Sequence, residues 1–411
     1  MVLKPSLRPA RTSGPALGLA CALLAAGAPA FADEFDTFNV FLSESYAHDN
    51  NLFRLPDGID PTAVGLSKSK RADNIRTDAV GLTLDKEYSL QRFHLGAKLA
   101  DNHFSNYNFL DYTTKNFDGR WNWSLTPNIT GLLGAERAQS LNSFADYQTY
   151  IRNVRTTDTV RGNAEFGSLG ALRFVAGISQ SKTTNDQLVQ QEGDYRTRNA
   201  EGGVRYLTTA DSWIGYTYRE GWIDWTGRAL DPVNLYDTGA KQVDNEINAS
   251  WRATGQASVD GAVARIHRSH DNFADRDFSG TNGRLGVNWL PTAALQIRFN
   301  AKREYSTWWT SITSYVVTDT VSLIPVWAIT EKVTVRGQID HATRDFRGPL
   351  PGAPAGEARH DTTGSAQIGL DWTPIRSLTL GTAVQKSRRS SNYPGLDFSD
   401  TTTSVNAQLT F

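Results

Sequence analysis

Apolar and polar residues alternate with a period of two over long stretches of the chain. In residues 295–302, Leu295, Ile297 and Phe299 alternate with Gln296 and other polar residues. Residues 242–253 and 332–340 repeat this pattern, with Asn245 the one exception in the first of them. Side chains on a strand point alternately to its two faces, so the pattern predicts strands with one apolar and one strongly polar face.

An aromatic residue followed by a short turn marks the end of many predicted strands. Trp251, Trp289 and Trp327 are spaced 38 residues apart, and Trp372 follows 45 residues later. Each such period holds two strands of about ten to thirteen residues, whereas a propeller blade would need four short strands in ~40–45 residues. A tilted strand that crosses a membrane needs ~9–11 residues. The spacing therefore predicts an array of membrane-spanning hairpins.

The connections at the other strand ends are longer and polar, for example residues 270–277 and 347–356. Short turns on one side and long polar loops on the other are typical of outer-membrane barrels. A sheet in lipid cannot leave an edge unpaired. We therefore predict an all-β, transmembrane, antiparallel up-and-down β-barrel with short periplasmic turns and longer extracellular loops. Eight turns near residues 88, 126, 169, 209, 255, 292, 329 and 375 give about eighteen strands, with sixteen as the alternative.

Aromatic residues at strand ends predict two belts at the membrane surfaces. The tryptophans before the short turns form one belt, and Trp222, Trp225, Trp308 and Trp309 are predicted to form the other. Tyr216 and Tyr218 belong to the same region. These aromatic residues either belong to the second belt or stack on sugar rings in the lumen.

The first 32 residues are predicted to be a secretory signal peptide. Lys4, Arg8 and Arg11 precede an apolar stretch at 16–28, and residues 30–32 form an A-x-A cleavage site. We therefore expect a single barrel domain at 33–411, located in the outer membrane. Cleavage would remove Cys21, the one cysteine of the chain, so neither disulfides nor cysteine-based metal sites are expected.

Composition excludes several other classes of protein. After residue 32 no apolar run approaches the ~18 residues of a membrane helix, which excludes a membrane protein that spans the bilayer with several helices. A net charge of −1 gives no polybasic surface, so no nucleic-acid partner is expected.

Nucleophile-elbow, zinc-protease and phosphate-loop motifs are absent from the sequence. His267 and His270 lie three positions apart on a predicted strand, so their rings should diverge. We expect no catalytic residues, no metal and no cofactor.

Charged residues on the polar strand faces are predicted to line the lumen. They either neutralise one another in a solvated wall or guide an acidic or neutral glycan. The predicted pore-lining residues are Arg161, Arg173, Arg205, Arg252, Arg298, Arg336, Asp244, Glu246 and Asp340.

The carboxy-terminal segment 404–411 alternates to its end and places Leu409 and Phe411 on the apolar face. A last strand that ends in Phe resembles the signal read by the outer-membrane assembly machinery. We therefore expect this machinery and outer-membrane lipid as partners.

Residues 46–56, Tyr-Ala-His-Asp-Asn-Asn-Leu-Phe-Arg-Leu-Pro, are followed by Arg-Ala-Asp-Asn-Ile-Arg at 71–76 and Leu-Gln-Arg-Phe-His-Leu at 90–95. This region resembles the exosortase B-associated outer-membrane proteins of exopolysaccharide biosynthesis (the EpsL type), most clearly over residues 35–112. The resemblance implies a role in making or exporting an extracellular polysaccharide, with the polymer and other export components as partners. The family-like loop element comprises Asp49, Asn50, Asn51, Leu52, Phe53, Arg54, Leu55 and Pro56.

Leu52, Phe53 and Leu55 are apolar residues in a predicted exposed loop. Such residues usually pack against other apolar groups. The loop is therefore expected either to fold over or into the barrel mouth and narrow it, or to rest on its neighbours at the rim.

The leading functional hypothesis is a non-catalytic barrel that takes part in exopolysaccharide export. The alternative is a general or sugar-selective diffusion porin. A polysaccharide-acting outer-membrane enzyme and a structural or surface-attachment barrel are the remaining classes.

Overall fold

The computed structural model describes residues 37–411 except 147, 209, 211, 308–312 and 352–356. Eighteen strands of 12 to 18 residues account for most of these ranges. The strands are β1 Phe38–Asp49, β2 Asp73–Tyr88, β3 Gln91–Phe104, β4 Tyr112–Thr126, β5 Ile129–Leu141, β6 Val154–Leu169, β7 Leu172–Asn185, β8 Tyr195–Leu207, β9 Trp213–Trp225, β10 Gly239–Thr254, β11 Ala257–His270, β12 Phe278–Thr292, β13 Leu295–Thr307, β14 Thr313–Thr330, β15 Val333–Pro349, β16 His360–Ile375, β17 Leu378–Ser391 and β18 Phe398–Thr410. Single 3₁₀ turns lie in the loops at Pro61–Val64, Asn108–Leu110, Leu188–Gly193 and Ala274–Arg276.

Each strand pairs antiparallel with the strands before and after it in the chain, and β1 pairs with β18. The closing register runs from Phe41 opposite Thr410 to Asp49 opposite Thr402. Val40 and Phe411 extend it by exchanging two backbone hydrogen bonds of 2.9 and 2.8 Å. The predicted closed barrel of eighteen strands is confirmed, and the alternative of sixteen is wrong.

The connections alternate in length as predicted. Eight short turns of two to five residues follow the even-numbered strands β2 to β16. Longer loops follow the odd-numbered strands, leaving aside residues 308–312, which are not described. Both the beginning of β1 and the end of β18 lie at the short-turn end. The long loops therefore gather at the other end, which we call the mouth.

Strand register separates the two faces of the barrel wall. Apolar residues at one set of alternating positions point outward, and in the isolated chain they are 51–70% exposed at Val160, Ile178, Ile247 and Ile368. The alternating positions between them carry mostly polar or small residues and face the lumen. Outward apolar side chains are at low free energy only against lipid tails, so this face fits a bilayer.

One aromatic belt is present at the short-turn end. Trp251, Trp289, Trp327 and Trp372 point outward and are 45–59% exposed.

The predicted second belt is only partly correct. Trp222, Tyr216 and Tyr218 do point outward, so they are unavailable for stacking on a solute in the lumen. Trp225 is 5% exposed and stacks on His270 with ring centroids 5.9 Å apart. The prediction was wrong for Trp225 because it lies three positions after Trp222, and an odd step along a strand changes the face. Trp308 and Trp309 lie outside the described residues.

The predicted signal peptide, with Cys21, also lies outside the described residues. Among those that are described, no helix has the length and apolarity needed to cross a membrane.

Placing a charge on the outward face should destabilise the barrel far more than placing it in the lumen. Ile368 lies midway along β16 and is 62% exposed on the outer face, whereas its neighbour Gln367 faces the lumen. We expect Ile368→Lys to lower the free energy of unfolding by about 2–4 kcal/mol, because the ammonium would lie near the bilayer midplane. Gln367→Lys is the matched control and should change it by less than about 1 kcal/mol. Urea titration of the barrel refolded in lipid vesicles measures both values, and equal losses would contradict the assigned faces.

Candidate functional site

All nine predicted pore-lining residues lie on the lumenal set of positions. Several of them form ion pairs across neighbouring strands. Arg205 lies 3.0 Å from Glu165, and Arg173 contacts the same carboxylate at 3.8 Å. Arg336 binds Asp371 at 2.8 Å.

The predicted acidic residues are bound as well. Asp244 lies 3.5 Å from Arg219, and Glu246 lies 3.2 Å from Arg284. Asp340 accepts hydrogen bonds from Ser322, Gln338 and Ser365. The partners Glu165, Arg219, Arg284 and Asp371 were not predicted as site residues, although the same period-two pattern places them on the polar face.

Arg161 and Arg298 differ from these pairs. Both are exposed to the lumen, and among the described residues neither has a carboxylate within 4.0 Å. Arg252 lies on the same face near the short-turn end of β10. The lumenal wall therefore combines neutralised charges with two cations, Arg161 and Arg298, that remain open to a solute.

The family-like element at 49–56 forms a compact turn at the top of β1. Asp49 binds Arg54 at 2.8 Å, and Arg54 also lies 3.4 Å from Asp400 of β18. Arg54 adopts a φ of 55°, a left-handed conformation that most side chains avoid, which the two carboxylates hold in place.

Asn51 closes the turn. Its side-chain oxygen accepts from the backbone N–H of Leu55 at 3.0 Å, and its amide nitrogen donates to the carbonyls of Leu55 and Ser399, both at 2.9 Å. Asn51 is 2% exposed, so its amide satisfies backbone groups that water cannot reach. The turn is thereby attached to the barrel seam between β1 and β18.

Phe53 is the centre of an apolar cluster at the mouth. It is 1% exposed, and its ring lies 4.7 Å from that of Tyr107, 4.9 Å from that of Phe144 and 5.7 Å from that of Tyr150. These rings come from the loops at 105–111 and 142–153. The buried members of the cluster are Leu52, Phe53, Leu55, Leu66, Phe104, Tyr107, Leu110 and Phe144.

We call the three loops 50–72, 105–111 and 142–153 the cap. Polar contacts reinforce it, since the single proton of the Tyr107 hydroxyl is shared between the carbonyl oxygens of Lys68 at 2.9 Å and Lys70 at 2.6 Å. Burial raises the pKa of Tyr107 above its ordinary value, so the phenol stays a donor over a wider pH range.

The loop at 142–153 crosses the mouth. Asp146 lies 2.8 Å from Arg344 of β15 and 3.4 Å from Arg389 of β17, and Gln148 donates to the carbonyl of Gly395 at 2.9 Å. Strand β15 is nine positions from β6 in a ring of eighteen, which places it on the opposite wall. Arg344 and Arg389 are lumenal residues, so this contact spans the opening.

The 50–58 loop rests on neighbouring loops, and it covers the mouth only through the cap that it helps to form. Leu52, Phe53 and Leu55 pack into the cap, and the cap reaches the far wall through Asp146. The role of the 142–153 loop was missed, because a contact 198 positions apart in the chain has no local pattern.

A second buried group occupies the mouth beside β9 to β12. Tyr236 lies between two guanidinium groups, with Arg228 5.1 Å and Arg276 5.5 Å from its ring. Burial, and then the neighbouring charge of Arg276, lower the pKa of Arg228 to about 10. Arg276 donates to the carbonyl of Asn234 at 3.1 Å, so it connects two mouth loops.

His267 and His270 diverge, as predicted. His267 faces outward and binds Ser279 at 2.8 Å, while His270 is buried beside Trp225. In the described part of the chain, no group of three or more His, Cys, Asp or Glu residues is arranged to hold a metal ion.

Comparisons with known proteins agree with this architecture. Residues 243–411 match the family model described as "Putative beta-barrel porin 2". No curated protein sequence matches the chain. The matched residues are therefore similar to a porin family, and the strand pairing shows that the chain is a closed β-barrel. The apolar outer face fits a membrane location, and the family match suggests that this membrane is the outer one.

Solved structures with a similar outline include three from Pseudomonas aeruginosa. OccK9 (OpdG) shares 10% identity over 91% of this chain and 98% of its own, with a TM-score of 0.48. OccK2 (OpdF) in complex with glucuronate shares 10% identity over 91% and 96%, also with a TM-score of 0.48. OpdK with vanillate shares 11% identity over 91% and 99%, with a TM-score of 0.46.

Removing the central ring of the cap should open the mouth without unfolding the barrel. Phe→Ala in a packed core costs about 3–5 kcal/mol, and here the loss falls on loops rather than on the strand ladder. We expect Phe53→Ala to raise mean single-channel conductance in planar bilayers. Leu188→Ala, at a loop residue 81% exposed, is the control and should behave like the wild type. Unchanged conductance in Phe53→Ala would mean that the cap does not restrict the opening.

Weakening the contact of Asp146 with the far wall should have a smaller effect in the same direction. Partly exposed ion pairs contribute about 0.2–1 kcal/mol, so Asp146→Asn should raise the fraction of time spent in the larger-conductance state by up to about fivefold. Asp319→Asn removes a 2.6 Å ion pair with Arg303 on the outer wall and serves as control. If single-channel recordings show equal effects for both variants, the crossing contact has no role in permeation.

Proposed function

We propose that this protein is a selective diffusion porin for small polar solutes, located in the outer membrane. The observation that carries the proposal is a polar, charged lumen whose mouth is narrowed by the cap. A charged wall with exposed cations keeps water in the lumen, and water in turn lets polar solutes enter. The cap then limits the size of what passes.

The same observation weighs against a wide conduit. A polymer chain needs a continuous opening along the barrel axis, whereas here the 142–153 loop contacts the wall opposite its own strands. Permeation by small solutes requires only the space beside the cap. Small sugars therefore fit the geometry better than a polysaccharide does.

Exopolysaccharide export is the second candidate, and the resemblance of residues 46–56 to the EpsL-type proteins favours it. Those residues form the turn that holds the cap at the seam of the barrel. For export, the cap would have to move aside when the polymer arrives, and the polymer and other export components would be partners. A deletion strain that secretes normal amounts of polymer would count against this candidate.

Solute uptake into vesicles distinguishes the two candidates. We expect liposomes containing the refolded protein to swell with monosaccharides and disaccharides, and swelling rates to fall steeply as the solute grows beyond a trisaccharide. A porin needs no partner protein for this activity. The absence of both swelling and ion conductance from correctly folded protein would contradict the diffusion proposal.

A further inference from the structure

A recess in the lumenal wall is lined by residues of strands β1 to β6. Its volume is about 510 Å³, within the ~300–1,000 Å³ range of small-molecule sites. Lumenal glycines shape it, because a Cβ on Gly96 would lie 2.6 Å from an Asp118 oxygen. A Cβ on Gly134 would lie 3.3 Å from the Arg161 guanidinium. Because glycine has no side chain, Gly96 and Gly134 leave room for the long charged side chains beside them and for a ligand.

Four cations line this recess, and one of them, Arg137, is paired with Asp158 at 2.6 Å. The other three are Lys98, Arg120 and Arg161, one each from β3, β4 and β6. Among the described residues none of the three has a carboxylate within 4.0 Å, unlike the paired arginines elsewhere in the lumen. Their charges are therefore not neutralised by contact with the wall.

The recess also contains two carboxylates, but one of them is already bound. Asp118 lies 3.0 Å from His94, which contacts Asp85 at 2.7 Å on its other nitrogen. Glu136 is the remaining acid, and it lies between Arg120 and Arg161 in strand order. A hydrogen bond to an imidazole leaves the carboxylate of Asp118 charged, so the three unpaired cations exceed the two carboxylates by one, and the recess favours an anion.

We propose that this recess is a binding subsite for a carboxylated monosaccharide. The guanidinium groups of Arg120 and Arg161 bind the carboxylate, since planar guanidinium matches its geometry. Asn116, Thr159 and Glu136 also line the recess and offer partners for the sugar hydroxyls. The subsite deepens the porin proposal, on which it rests, by naming the class of solute that the lumen selects.

The test is block of ion current by D-gluconate, with D-glucose as the neutral counterpart of similar size. We expect gluconate to reduce single-channel current through the full barrel at concentrations where glucose does not. Arg120→Gln and Arg161→Gln should each raise the half-blocking concentration about threefold to tenfold, and the double variant should raise it further.

Arg298→Gln is the matched control. Arg298 is also lumenal, exposed and without a carboxylate within 4.0 Å among the described residues, but it lies on β13, nine strands from β4. Its replacement should change the half-blocking concentration by less than about twofold. Heat-modifiable mobility on gels confirms that each variant is folded.

Binding of gluconate to the detergent-folded protein, measured by calorimetry, separates this inference from the porin proposal. If the barrel does not conduct but binds gluconate, and Arg120→Gln/Arg161→Gln abolishes binding, the porin proposal fails and the subsite stands. Equal block by glucose, equal loss in Arg298→Gln, or unchanged binding in the double variant would overturn the subsite.

Discussion

The structure depends on one constraint, the pairing of every backbone N–H and C=O group within the bilayer. Lipid offers no hydrogen-bond partners, so an open sheet would leave two unpaired edges in hydrocarbon. The contact of β1 with β18 removes both edges. The exchange of hydrogen bonds between Val40 and Phe411 carries the pairing to the last residue of the chain. Phe411 is thus part of the closure.

Closure also determines where specific function can reside. The strands give each side chain only two environments, outside or lumen, and the lumenal positions hold many of the ion pairs together with the exposed cations Arg161 and Arg298. The mouth is different, because its loops pack against one another through Phe53 and reach across the opening through Asp146. In the function proposed above, the barrel provides the aqueous passage, and the cap and the lumenal charges restrict what moves through it.

The sequence was sufficient to predict the barrel, since its evidence is periodic. Alternation identified the strands, the tryptophan spacing identified the hairpins, and eight short turns led to the correct strand number. It was also sufficient to place Arg161 and Arg298 on the polar face. It did not show which charges would be paired, because the partner of Arg336 is Asp371 on another strand and the register between them is set by the whole sheet.

Contacts between loops were beyond sequence reasoning for a different reason. Loops have no period, and Asp146 gives no local sign that it will reach Arg344. Residues 49–56 were an intermediate case. Their apolar side chains indicated packing at the mouth, but the aromatic partners Tyr107 and Phe144 became evident only in three dimensions.

In this structure each strand has one face toward lipid and the other toward water. Single cysteines introduced at Ser365, Ala366, Gln367 and Ile368, with Cys21 replaced by Ser, can be treated in vesicles with a membrane-impermeant thiol reagent to distinguish the two faces. We expect labelling at 365 and 367 and protection at 366 and 368. Equal labelling, or equal protection, at all four positions would contradict this arrangement.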